Sequence, residues 1–421
     1  MGENRKIGLL LLIFLFGAVG FSNLFLLQGN KELTPIIIYG VIVLLMSYSY
    51  FIIKRFFVDG DTFIFMIACL LTIIGIIFLY RLDILNLYLH NQDILAKAKV
   101  PRVITNYALK QLIFFAVGIT AYLIIIIVLR NFENLRKYKY VYLVFTVIFM
   151  CISTFFGSEI LGAKNWVFIL GYSFQPSEFG KIFLVLYLAS ALDKYKSWKN
   201  LIEPAAVVTI SLLFMVLQRD LGSALIFFGI SVTMLYIATS KFKYVFTCLI
   251  LFFLGSFASY KIFYHIRKRI MIWKQPWVYA SNESYQLVQS LIALGEGGLF
   301  GKGLGFGHPE FVPVNASDFI FPTICEDLGM LMGFAILILF FILFYRCMRA
   351  ALTAKDNFSR LVAVGYSSMI AAQTLVIVGG VTNAIPLTGI TLPLISSGGS
   401  SLIITYFALG VIQKISEEGK E

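Results

Sequence analysis

One apolar run after another, each long enough to cross a bilayer, occupies most of the 421-residue chain. A transmembrane helix needs about 20 mainly apolar residues, within a range of roughly 17–25. The runs predict twelve spans, at about 7–28, 35–53, 62–80, 109–129, 138–156, 177–192, 202–218, 221–239, 244–262, 319–345, 361–381 and 400–415. They do not alternate as the strands of a membrane barrel do. The expected fold is therefore all-α, a polytopic membrane protein. Composition agrees: 59% of residues are hydrophobic and 13% charged, against roughly 25% charged in soluble domains.

The net charge of +12 does not point to nucleic acid, because the basic residues sit in short loops between spans, where they set topology. Arg5 and Lys6; Lys54 and Arg55; Arg130, Arg136, Lys137 and Lys139; Lys194, Lys196 and Lys199; Lys241 and Lys243; Arg346, Arg349, Lys355 and Arg360; and Lys414 and Lys420 all fall on one side. That side is read as the inner one, with both termini cytoplasmic. The opposite segments 29–34, 157–176 and 382–399 hold few basic residues. The first apolar run reaches about Gln28 without a small-residue cleavage site, so it is read as an uncleaved span. Segment 81–108 is expected as a long outer loop with room for an interfacial helix. The largest outer segment runs from about 263 to 318. Cys69, Cys151, Cys248, Cys325 and Cys347 form no ligand spacing and read as small buried hydrophobes. His90, His265 and His308 make no zinc motif.

Polarity in such a chain is costly and marks binding or reaction sites. Asp318 precedes an apolar helix, where it suits an N-cap, a general base, or both. Glu326 and Asp327 lie about two turns inside that helix, which favours a site or a paired network. Glu178 and Lys181 are one turn apart and suit either an ion pair or a site. Asp220 stands in the tight turn Gln218-Arg219-Asp220, where it could cap a helix or join a site. Arg267 to Arg269, with Trp273 and Trp277, reads as a headgroup-level anchor. Next, Gln286, Gln289 and Ser290 are expected on one helical face, and Leu287, Leu291 and Leu294 on another. The glycine-rich turn Gly295–Gly307 suits a phosphate cradle or a simple tight loop. It is no Walker A loop, since Gly303 stands where Ser or Thr is needed. The stretch from Pro386 to Ser401 has two Pro, three Gly and clustered hydroxyls, so it breaks the helix and is expected buried in protein or lining a cavity, with hydroxyls and free N–H groups that suit a sugar or phosphate ligand. No cytosolic nucleotide motif is present, so energy has to come from the substrate or a gradient.

These residues fall into an ordered set: Gly162-Ala-Lys-Asn-Trp166; Gln175-Pro-Ser-Glu178 with Lys181; Gln218-Arg-Asp-Leu-Gly222; Tyr285-Gln286 with Gln289-Ser290; Gly297-Gly-Leu-Phe-Gly301; Asp318-Phe-Ile-Phe321 with Glu326 and Gly329; and Pro386-Leu-Thr-Gly389 through Gly398-Gly-Ser-Ser401. In that order, over about residues 105–415, the chain resembles the SEDS family (shape, elongation, division and sporulation), which includes RodA and FtsW. Asn165, Arg219, Ile377 and Ser397 depart from the family pattern, in place of Arg, Pro, Asn and Tyr.

The resemblance implies a peptidoglycan glycosyltransferase of the bacterial cytoplasmic membrane that polymerises lipid II. Residues 1–60 would be an N-terminal two-helix addition to a core at 61–421. Asp318 would be catalytic, as general base toward the acceptor 4-hydroxyl. Lys181, Arg269 and Lys302 would be candidates for the pyrophosphate. Glu178, Trp166, Gln286, Gln289, Ser290, Glu326, Asp220, Ser400 and Ser401 would complete the substrate site. A divalent cation could assist, though no ligand set demands one. The implied partner is a class B penicillin-binding protein, a transpeptidase. The rival readings are a lipid II flippase, which broken helices and intramembrane acids also suit, and a non-catalytic scaffold of a cell-wall complex.

Overall fold

The computed structural model describes residues 3–28, 32–57, 59–95, 104–129, 132–160, 163–169 and 172–419. Gly162, Arg130 and Lys420 of the sequence patterns lie outside the described residues. Two peripheral helices come first, α1 (Glu3–Leu27) and α2 (Thr34–Phe56), followed by α3 (Thr62–Leu95), α4 (Tyr107–Val128) and α5 (Lys139–Phe156). A small antiparallel sheet of β1 (Ser158–Ile160), β2 (Ala163–Ile169) and β3 (Tyr172–Phe174) leads into α6 (Pro176–Leu192), α7 (Ile202–Leu217), α8 (Leu221–Thr239) and α9 (Phe242–Ile262). Two short helices, α10 (Tyr264–Lys274) and α11 (Tyr285–Gly297), precede α12 (Ile320–Thr353), α13 (Asn357–Val381) and α14 (Gly399–Glu418).

Among the described residues, eleven helices are long and apolar enough to cross a membrane. The chain is a multi-pass α-helical membrane protein. The expected sixth span corresponds to α6, whose 17 residues lie at the short end of the range for a bilayer crossing. The sheet was not expected from sequence; its register pairs Ser158 with Trp166 and Val167 with Phe174.

The interior is built from helices that are apolar all round, as buried helices must be. α3 and α13 are rich in core residues, including Phe65, Ile73, Ile77, Tyr366 and Ile377. At the other extreme, α9 buries none of its residues. Glycine permits the closest approach: a Cβ on Gly75 of α3 would collide with the backbone of Ile395 in the loop before α14. That loop is thereby held inside the bundle, where irregular backbone is tolerated only when enclosed by protein.

Segment 81–95, expected as loop, continues α3 as helix. The apolar run ends at Arg81, but the charge does not end the helix because it finds partners inside the bundle. Just beyond, Asp83 accepts bonds from Tyr107 N and Ala108 N at 2.8 and 2.9 Å, closing the start of α4.

Candidate active site

The segment before α12 sets Asp318. Val314 takes φ 57, a strained value for a β-branched residue. Its carbonyl accepts from both Ser317 N and Phe319 N. Ser396 Oγ donates to Ser317 O at 2.6 Å, and Ser397 N donates to Ala316 O at 2.8 Å. The loop before α14 thus clasps the approach to Asp318. The expected N-cap role is not what the structure has: the cap position is Phe319, with no side-chain capping bond. The Asp318 carboxylate instead faces the loop, with Oδ2 3.6 Å from where a Cβ on Gly389 would lie. Gly389, at φ 70, leaves that space open.

Arg269 of α10 reaches the same place. Its Nη1 donates to Leu387 O at 3.0 Å and to Thr388 O at 3.3 Å. Burial pushes the Asp318 carboxyl up to about 6, while a Ser317 bond and the charge of Arg269 hold it down and Asp220 adds to the rise. Burial likewise lowers Arg269, opposed by Asp220 and Asp318. A carboxyl near 6 is suited to taking a proton near neutral pH.

Asp220 stands beside this pair with its own lone pairs occupied. Its Oδ1 accepts from Ser223 N at 2.9 Å, capping α8. Its Oδ2 accepts from Ser223 Oγ, Asn165 Nδ2 and Gln175 Nε2 at 2.8, 2.8 and 3.0 Å. The unusual Asn165 therefore ties β2 to this carboxylate. Arg219 takes φ 61, with Asp220 N bonded to Met215 O and Arg219 N to Val216 O. That is a Schellman ending of α7, and Pro could not adopt its φ. Of the other departures, Ile377 is core and Ser397 serves through its backbone.

Lys181 is only 1% exposed. Its Nζ donates to Glu178 Oε1 and to Gln373 Oε1, both at 2.8 Å. Gln373 Nε2 in turn donates to Thr391 O at 3.0 Å and to Ser401 Oγ at 3.2 Å. Lys181 and Glu178 thus reach the loop through Gln373. Trp166, in the middle of β2, and Ser400, at the start of α14, are half-buried. Gln286 and Gln289 are half-buried on α11. The expected division of that helix fails for Ser290: it is buried on the same side as Leu287, and its Oγ donates to Val381 O at 2.9 Å.

The glycine-rich turn forms a second cluster. α12 breaks at Gly329, where φ is 82 and ψ 170. The freed backbone groups pair with the turn: Lys302 N with Glu326 O, Gly303 N with Asp327 O, Met330 N with Gly298 O and Leu331 N with Leu299 O. Gly305 N and Gly307 N donate to the Asp327 carboxylate at 3.1 and 2.9 Å, and His308 N to Glu326 Oε1 at 2.8 Å. The amides that could cradle an anion thus hold the chain's own acids. Lys302 Nζ pairs with Glu296 and, at 3.1 Å, with Glu326 Oε1. Arg81 completes the cluster: Nε donates to Asp327 Oδ2 at 3.0 Å, and Nη2 to Gly307 O at 2.7 Å.

The expected site residues therefore divide. Asp318, Arg269 and Asp220 come together, joined through the loop to Lys181, Glu178 and Ser401. Lys302 and Glu326 belong to the glycine-turn cluster. Arg81 and Gln373 were missed, though each is a polar residue at the edge of or inside an apolar run. Among the described residues no group of three or more His, Cys, Asp or Glu side chains forms a metal-ligand set.

Comparison with known proteins fits this architecture. The peptidoglycan glycosyltransferase RodA of Mycobacterium tuberculosis is 32% identical over 439 residues, covering 98% of this chain and 91% of the relative. Two solved structures share the fold at 22% identity. One, described as coordinating polymerization and crosslinking in a peptidoglycan synthase complex, matches 86% of this chain and 99% of its own at a TM-score of 0.68. The other, rod shape determining protein RodA of Thermus thermophilus, matches 86% and 98% at 0.60. The profile of the FtsW/RodA/SpoVE cell cycle proteins matches residues 61–421, and the chain belongs to that family.

Proposed function

We propose that this protein is a peptidoglycan glycosyltransferase that polymerises lipid II at the outer face of the bacterial cytoplasmic membrane, with both termini inside. The observation that carries the reading is the half-buried Asp318 carboxyl, raised to about 6 beside Arg269 under the open face of Gly389. Residues 1–60, which precede the family match, form a two-helix addition to the catalytic core.

In the mechanism, the Asp318 carboxylate accepts the proton of the GlcNAc 4-hydroxyl of the acceptor. That oxygen attacks the MurNAc anomeric carbon of the donor as its bond to the pyrophosphate oxygen breaks. A β-1,4 bond forms with inversion, and undecaprenyl pyrophosphate leaves. The pyrophosphate leaving group supplies the driving force, in keeping with a chain that has no nucleotide motif. Arg269 stabilises negative charge at the site. Lys181 acts from behind, through Gln373, on the loop that faces the substrate. A class B penicillin-binding transpeptidase would take the new strand.

The test is polymerisation of lipid II by the purified protein with its cognate transpeptidase. Glycan strands from the wild type and none from folded Asp318→Asn are expected. Equal strands from both would return Asp318 to a structural role. No strands from either, with the complex intact, would favour a flippase or a scaffold.

A further inference from the structure

At the opposite end of the bundle from Asp318 there is a cavity of about 260 Å³. Lys6 of α1, Asp61 and Thr62 at the start of α3, Arg346 and Arg349 near the end of α12, and Ser416 of α14 line it. Three cations therefore surround one carboxylate. Arg346 is already committed: its Nη1 pairs with Asp61 Oδ2 at 3.2 Å, and its guanidinium lies 4.4 Å over the Phe63 ring. Lys6 and Arg349 have no ion-pair partner among the described residues. Thr62 is 4% exposed, and its Oγ1 has no hydrogen-bond partner. A buried hydroxyl left so is costly. The start of α3 is itself already capped, Phe63 N donating to Asp61 Oδ1 at 3.1 Å.

Unmatched positive charge and a buried hydroxyl together call for an anion with several acceptor oxygens. We propose that this cavity binds an anionic phosphate group, with Lys6 and Arg349 as its charge partners and Thr62 Oγ1 as a donor. Lys6 lies before the family match and Arg349 within it, so the bound group would fasten α1 to the core. The same phosphate chemistry is offered by an anionic lipid headgroup and by a free phosphate.

Native mass spectrometry of the full chain in mild detergent separates these sources. The probes are phosphatidylglycerol, phosphatidylcholine and inorganic phosphate. The variants are Lys6→Gln/Arg349→Gln, which removes two partnerless side chains, and Thr62→Val, which keeps shape and removes only the hydroxyl. Preferential retention of phosphatidylglycerol is expected, about 25-fold weaker in the double variant at roughly fivefold per basic side chain, and weaker in Thr62→Val. Retention of inorganic phosphate instead, lost in both variants, would support the same site with a free phosphate as ligand. Failure of the wild type to hold either anion, or equal binding by wild type and both variants, would overturn it.

Discussion

Arg81 Nε lies 3.0 Å from Asp327 Oδ2, joining α3 to α12 just before the helix breaks. Both side chains are buried, Asp327 completely. Removing one member of such a pair strands the other charge, at a cost of about 3–5 kcal/mol. Arg81→Met should accordingly lower the thermal unfolding midpoint in detergent sharply. Arg81→Met combined with Asp327→Asn should recover part of the loss. A single variant as stable as the wild type would show that the pair contributes nothing to the join.

Gly329 and Gly298 make a controlled pair. Both have positive φ, but a Cβ on Gly329 would run into Leu299 O, whereas a Cβ on Gly298 meets nothing within 4 Å. Strained backbone alone costs about 1–3 kcal/mol. Gly298→Ala should fall in that range, and Gly329→Ala well beyond it, because the turn must also move off α12. Denaturation of both variants side by side checks this; equal losses would mean that the steric contact relaxes freely.

The expectations from sequence succeeded where one residue type carries its cost alone, and failed where cost is shared. Apolar length announces a span; Asp318 was legible as a candidate, because acids beside membranes are expensive. Arg81 was hidden because its compensation lies 246 residues away, so the run seemed to end where the charge appeared. The glycine turn was legible as a nest for an anion, but not that the anion would be Asp327. Nor did helical periodicity show that Ser290 turns inward, since its partner is the carbonyl of Val381 at the end of α13.

Lys181, Glu178 and Gln373 form a buried chain that ends on Thr391 and Ser401. If Lys181 acts by holding this chain, Lys181→Met should cost about 3–5 kcal/mol by leaving Glu178 unpaired. Lys181→Met with Glu178→Gln should regain stability. Gln373→Leu, which leaves the ion pair intact but frees the loop, should lower the polymerisation rate more than it lowers stability. A Gln373→Leu enzyme with unchanged turnover would separate the buried pair from the site.

The raised carboxyl of Asp318 makes two linked predictions about pH. As general base it must be ionised, so the polymerisation rate should rise with pH through about 6 and then level. Stability should run the other way. The folded value lies above the ordinary 3.8 of an unfolded Asp, so folding favours the protonated form. That preference is fully present below the unfolded value and is lost as pH rises through about 6. Asp318→Asn cannot ionise and escapes the loss. The variant should therefore unfold at a higher temperature than the wild type above pH ~7, with the gap closing below pH ~4. Unfolding midpoints of both proteins across that range, read beside the rate profile, test the assignment. A gap that does not change with pH would mean that the Asp318 carboxyl is not raised, and would remove the physical basis for a base of that strength.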